Sequence, residues 1–237
     1  MIKMKILTTL IVIVFSSVLH LQPKDPEAIL EKVKKEFEKV EDYKVDVKIK
    51  IDIDFLKMPD REATIYYKKP DKFFIDSENF AMLPKSGMDF SPISFLNYKY
   101  TAFYEKEDTV NGRQTYVIKV IPLEGNADVI ISTLWIDTIR NIILKVESSK
   151  KPQGTFTIDL DYLKTSEGFW LPSSLVFSFT IEGSFYQAMS RESIQKEIDS
   201  TNKSEEKKTG KVYLTYSNYE VNIGLSDSIF EKKDSEK

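Results

Sequence analysis

Cysteine is missing from all 237 residues, and the single histidine is His20. The first absence excludes disulfides, thiolate metal sites and thiol nucleophiles. The second leaves residues 21–237 without the imidazole that Ser/His/Asp and Cys/His triads need, and removes nearly all zinc, copper and haem ligation. Glycine is scarce at 8 residues, and no internal repeat or glycine-rich phosphate loop occurs. An excess of positive charge is also lacking: 34 Lys and Arg face 37 Asp and Glu, for a net charge of −3. An acidic chain with interspersed charges is a poor ligand for nucleic acid or for an anionic membrane surface.

Long apolar runs are missing after the first fifteen residues. Lys3 and Lys5 followed by the apolar run 6–15 have the form of a charged n-region and an h-region. That run is shorter than the ~20 residues needed to span a bilayer. Small residues near 14–16 offer a cleavage site, and no lipobox cysteine follows. Residues 1–20 therefore read as a signal peptide and residues 21–237 as one domain, exported to the periplasm and soluble there. Loss of Lys3 and Lys5 with the leader makes the net charge two units more negative.

What the chain does contain is alternation. Over residues 43–55 every odd position is apolar or aromatic and every even position is Lys or Asp. A period of two with no exception predicts a strand with one oily face (Val45, Val47, Ile49, Ile51, Ile53, Phe55) and one charged face. At ~3.3 Å per residue such a strand is about twice the usual length, so it must curl. Asp52 and Asp54 fall on the charged face among Lys48 and Lys50, where a solvated strand explains them better than a two-carboxylate hydrolytic site does.

Before this strand, Asp25-Pro26-Glu27 is a helix start with a cap, a first-turn proline and a first-turn acid. Ile29, Leu30, Val33, Phe37 and Val40 recur at helical spacing, so one amphipathic helix should run to about Glu41. After it, strands are expected at 63–68, 72–76, 98–104, 114–121, 128–137, 142–148, 155–163, 174–181 and 211–219. Short turns such as Asn111-Gly112 join them into an antiparallel meander. Two segments interrupt it. Residues 79–97 are oily yet broken by Pro84, Gly87 and Pro92, and read as a lid carrying Met82, Leu83, Met88, Phe90 and Phe95. Residues 190–208 are rich in Ser, Glu, Lys and Asn and read as a mobile loop. The fold class is mainly β with helices (α+β), a strongly curved antiparallel sheet covered by one helix.

The order of these features resembles a known family. An exported chain with an N-terminal amphipathic helix, a long alternating strand, the step Lys69-Pro70-Asp71-Lys72-Phe73, the run Leu134-Trp135-Ile136-Asp137 and the ending over 216–230 is similar to the LolA-like group of outer-membrane lipoprotein-sorting proteins. The similarity covers about 26–230. It implies an unclosed β-barrel whose concave apolar face, capped by helices or loops, holds acyl chains. Members carry lipoproteins across the periplasm, from an inner-membrane donor to an outer-membrane acceptor, and the resemblance implies such a carrier here; the alternative it leaves is an envelope sensor or scaffold module that binds a lipid or peptide signal and regulates a partner protein. Where carriers often have Arg before the proline this chain has Lys69, a point donor in place of a fork, as the candidate lid latch.

On this reading the apolar cavity is lined by Val45, Val47, Ile49, Ile51, Ile53, Phe55, Ile65, Phe73, Phe156, Ile158, Leu160, Phe177 and Phe179. Ordinary core packing accounts for the same alternation, and the sequence leaves the two open. No catalytic residue, metal or cofactor is expected. The partners are acyl chains of a lipoprotein or lipid, bound by a monomer that takes no nucleic acid.

Overall fold

The computed structural model describes residues 24–53, 59–70, 72–76, 96, 99–123, 129–150, 154–181 and 208–231. The expected signal peptide, the lid segment 79–97 with Met82, Leu83, Met88, Phe90 and all but residue 96 of its span, Phe55, and nearly all of 190–208 lie outside them.

Helix α1 spans Pro26–Phe37. The Asp25 carboxylate accepts the Glu27 N–H at 3.0 Å, and Pro26 opens the first turn. Ile29, Leu30 and Val33 are its buried stripe. The helix stops short of the expected Glu41. The Glu38 N–H closes on the Lys34 carbonyl at 2.8 Å, and the Lys69 ammonium takes the freed Glu38 carbonyl. Such a cation satisfies a terminal carbonyl and complements the helix dipole. Val40, counted in the helical stripe by spacing, instead packs with Leu171 and Val221 in a small separate cluster.

Ten strands follow: β1 (Asp42–Ile53), β2 (Arg61–Lys68), β3 (Lys72–Asp76), β4 (Tyr100–Val110), β5 (Arg113–Pro122), β6 (Val129–Asp137), β7 (Ile143–Lys150), β8 (Gly154–Lys164), β9 (Trp170–Ile181) and β10 (Lys208–Val221). A short helix α2 (Ser228–Glu231) ends the described chain. All ten form one sheet in the order β3-β2-β1-β10-β9-β8-β7-β6-β5-β4. Every pairing is antiparallel. The meander β4 to β10 thus returns to the start of the chain, where β10 docks on β1. β3 and β4 are the two edges of an unclosed, curved sheet.

Strand β4 runs six residues past the expected end, because Lys106 to Val110 pair with β5 beyond a register shift at which Glu105 is the extra residue. Further shifts lie at 44/46, 129/131, 135/136 and 161/162. Each extra residue bends its strand and increases local twist, which lets long strands wrap instead of lying flat.

The chain beyond β10 is tied back to the start of β1. The buried Asp42 carboxylate accepts the backbone N–H groups of Ile223, Gly224 and Leu225 at 2.8, 3.0 and 3.2 Å. Asn222, at φ 55°, accepts the Glu41 N–H through its side-chain oxygen at 2.7 Å. Further on, Lys68 of β2 and Lys72 of β3 hold Asp227 at 2.6 and 2.9 Å. These two bonds depress the Asp227 carboxyl to about 2.

Replacing Asp42 with Ala leaves three backbone donors without their acceptor and is expected to cost about 2–4 kcal/mol in urea unfolding. Asp227 gives a pH signature. A depressed carboxyl stabilises the docked end above its ordinary 3.8, and that contribution is lost as pH falls toward about 2. Amide protection at 225–231, measured relative to the intrinsic exchange rate at each pH, should therefore fall between about pH 4 and pH 2. Asp227→Asn should abolish the step.

A graded apolar face as the candidate site

Register places the inward side chains in rows that run across the sheet, since paired residues of an antiparallel ladder share a face. One row reads Ala102, Val120, Ser132, Ser148, Phe156, Phe179, Gly210, Ile53 from β4 to β1. The next reads Tyr104, Ile118, Leu134, Val146, Ile158, Phe177, Val212, Ile51. Deeper lie Leu160, Leu175, Leu214 and Ile49, and then Val47 with Ala63. Most of these belong to one continuous cluster with Ile29, Leu30 and Val33 of α1.

The two ends of this face differ. At the deep end, Phe37 of α1 meets Tyr67 edge-on at 5.8 Å, Tyr67 stacks on Tyr43 at 5.1 Å, and Tyr43 meets Tyr219 at 5.8 Å. The Tyr162 hydroxyl donates to the Ile143 carbonyl and the Tyr219 hydroxyl to the Pro172 carbonyl, both at 2.8 Å. Burial pushes the Tyr162, Tyr216 and Tyr219 hydroxyls well above the ordinary phenol range. These rings are a floor, neutral at any physiological pH. α1 crosses above the sheet, its Phe37 end over β2 and its other end near β4 and β5, where Lys24 bonds Glu107 and lies over the Tyr116 ring at 4.1 Å.

At the other end the face is open in part. Phe156, Phe177, Phe179 and Val212 are only half-buried, and the rings form a row with centroids 5.5 Å apart from Phe156 to Phe177 and from Phe177 to Phe179. The outermost row is half made of small residues, Ala102, Ser132, Ser148 and Gly210, where the row below carries Tyr104, Leu134, Val146 and Val212 on the same strands. Small side chains on a concave face make room. Ser132 and Ser148 are buried and share a hydrogen bond at 2.6 Å, a neutral polar pair beside Phe156.

Of the residues expected to line a cavity, Val45, Val47, Ile49, Ile51, Ile65, Ile158 and Leu160 are buried on the inner face. Phe156, Phe177 and Phe179 are at the open end. Ile53 takes its place in the outermost row through its backbone register. Phe73 shares the inner face through its pairing with Tyr67, but on the edge strand it is 44% exposed. Lys69 bonds the Glu38 carbonyl and, at 2.9 Å, the Glu41 carboxylate, so its described contacts are with the end of α1. Trp135 is on the outer face, where its indole N–H donates to Asp108 at 3.2 Å and Lys145 lies over its ring. Asp137 accepts the Ile139 and Arg140 N–H groups at the turn, as its position before 138–141 suggests.

The sequence reading missed the serine pair, Val212, Gly210 and Leu134. Alternation within 129–137 and 143–150 would have placed both serines inward, but nothing local shows that they face each other. Among the described residues no cluster of His, Asp and Glu could hold a metal ion, and no helix is long and apolar enough to cross a membrane.

No family model matches the chain, and no curated protein matches it in sequence. Solved structures do match. A candidate outer membrane lipoprotein-sorting protein domain from Vibrio parahaemolyticus superposes with a TM-score of 0.59 at 16% identity, covering 88% of this chain and 98% of that one. A LolA superfamily protein from Nitrosomonas europaea gives 0.53 at 13% identity, covering 87% and 97%. The fold is LolA-like. A DUF1329 family protein from Desulfovibrio piger shares it, with a TM-score of 0.59 at 14% identity over 87% of this chain and 98% of that one. In the LolA-like frame, the half-open Phe row belongs to the concave side of the half-barrel and the charged Lys and Asp of β1 to its convex side.

The assignment of faces is checked by charge. Ile49→Asp buries an unpaired carboxylate and should cost about 3 kcal/mol or more in urea unfolding, whereas Lys48→Asp, on the outer face, should change stability by less than about 1 kcal/mol.

Proposed function

We propose that the protein is a non-enzymatic periplasmic carrier that shelters the acyl chains of a lipoprotein or lipid at the open end of the half-barrel and passes them on. The observation that supports this reading is the gradient along the concave face. One end is filled by α1 and the tyrosine floor, while the other keeps three phenylalanine rings half-buried beside a row of small residues. An acyl chain laid on the half-buried Phe row would cover it further and remove its remaining apolar surface from water. The fold shared with a candidate lipoprotein-sorting domain supports the same cargo class.

A carrier needs no chemistry, only a bound state that another protein can outbid. The cargo leaves when an acceptor binds it more tightly, or when the acceptor favours an open form of the carrier. In this scheme an inner-membrane donor loads the half-barrel and an outer-membrane acceptor empties it.

Native mass spectrometry of the protein purified without detergent should show discrete added masses of lipid or lipopeptide. Phe179→Asp, at the half-open end, should remove them and leave the fold intact, and Lys50→Asp on the convex face should keep them. A protein that is empty in every preparation and takes up no lipid on incubation would overturn the reading.

A further inference from the structure

Arg61 opens β2, directly paired with Ile49 of β1, in the same alternation as inward-facing Ala63 and Ile65. Its side chain is therefore on the concave face, half-buried, in the row of Ile49, Leu214 and Leu175, next to the row that holds Ile51, Val212 and Phe177. A guanidinium in such a place is normally matched by a carboxylate. Here the neighbouring carboxylates are turned away. Asp60 is bonded by Lys48 at 3.3 Å, and Glu62 pairs with Lys48 on the outer face. Among the described residues Arg61 has no ion pair, hydrogen bond or ring contact, while fourteen other cations are in ion pairs or lie over rings.

We propose that Arg61 is the headgroup site of the cavity, so that the ligand is an anionic acyl lipid, its chain on the Phe row and its phosphate or carboxylate on the guanidinium. The proposal rests on the carrier reading and narrows its substrate class. The geometry suits the chemistry: a planar fork grips a phosphate or carboxylate with two parallel N–H···O bonds, and apolar surroundings strengthen them. The negative net charge of the chain disfavours docking on an anionic membrane surface. It does not oppose a single extracted lipid, whose one headgroup meets a local cation and not the whole field.

The test compares probes with and without an anion on the same chains, read by displacement of the neutral dye diphenylhexatriene from the full protein. Dipalmitoyl phosphatidylglycerol is set against dipalmitoyl glycerol, and palmitate against hexadecanol. The anionic member of at least one pair should bind about tenfold more tightly, the size expected of a charge-assisted hydrogen bond. A preference in the first pair alone assigns a phosphate headgroup, and in the second alone a carboxylate. Arg61→Gln should bring the two members of the pair together, and Arg61→Lys should keep part of the preference. Because Arg61 holds no other group, both variants should unfold like the parent in urea. Equal binding of charged and neutral probes by the parent, or a preference that survives Arg61→Gln, overturns the headgroup site and leaves the apolar carrier standing. If the parent binds none of the four probes, the carrier reading falls with it.

Discussion

The pairing of β1 with β10 is the contact on which the rest depends. It joins the first long strand to the last, register by register from Tyr43 with Val221 to Ile53 with Gly210, and so converts a meander into a half-barrel. Without it, β1 to β3 would be a separate three-stranded flap, and the apolar faces of β4 to β9 would have no opposing wall. The pairing is specified because a one-residue slip would turn Val45, Val47, Ile49 and Ile51 outward and bring Lys and Asp into the core. The Asp42 carboxylate fixes one end of that register by holding the backbone of 223–225.

A sheet with one apolar side must cover that side, and this molecule covers it unequally. At the deep end, helix α1 and five tyrosine rings cover the face, and the Tyr162 and Tyr219 hydroxyls are bonded to backbone carbonyls. Toward the open end the rings are less covered, the side chains shrink to Ala, Ser and Gly, and one guanidinium has no anion. Each of these features costs stability in an empty protein. On the proposed reading, a lipid tail with a charged head would cover the half-buried rings and meet the guanidinium together.

The rigid and the variable parts of the structure are correspondingly divided. The floor is built of buried tyrosines whose hydroxyls donate to backbone carbonyls of β7 and β9, so it resists any shift of those strands. Lys69 belongs to this fixed part. Its ammonium ties the end of α1 to the turn after β2.

Alternation determined a great deal by itself. Period two over 43–55 and in nine later segments was enough for the strands, their faces and the antiparallel class, because side-chain direction in a strand depends only on parity. The cap at Asp25 and the turn at Asp137 were equally local. The end of α1 was not, since its stop came from Lys69, 31 residues away in the chain. The same holds for the pairing of Ser132 with Ser148, the exposure of Phe73 on an edge strand and the isolation of Arg61. Those are properties of neighbours across the sheet, and a strand's own sequence says which way a residue points but not what it will find there. The sequence alone thus decided that one face is oily and the other charged; only the tertiary structure, which sets each residue's neighbours across the sheet, decided which part of the oily face is buried and which part stays half-exposed.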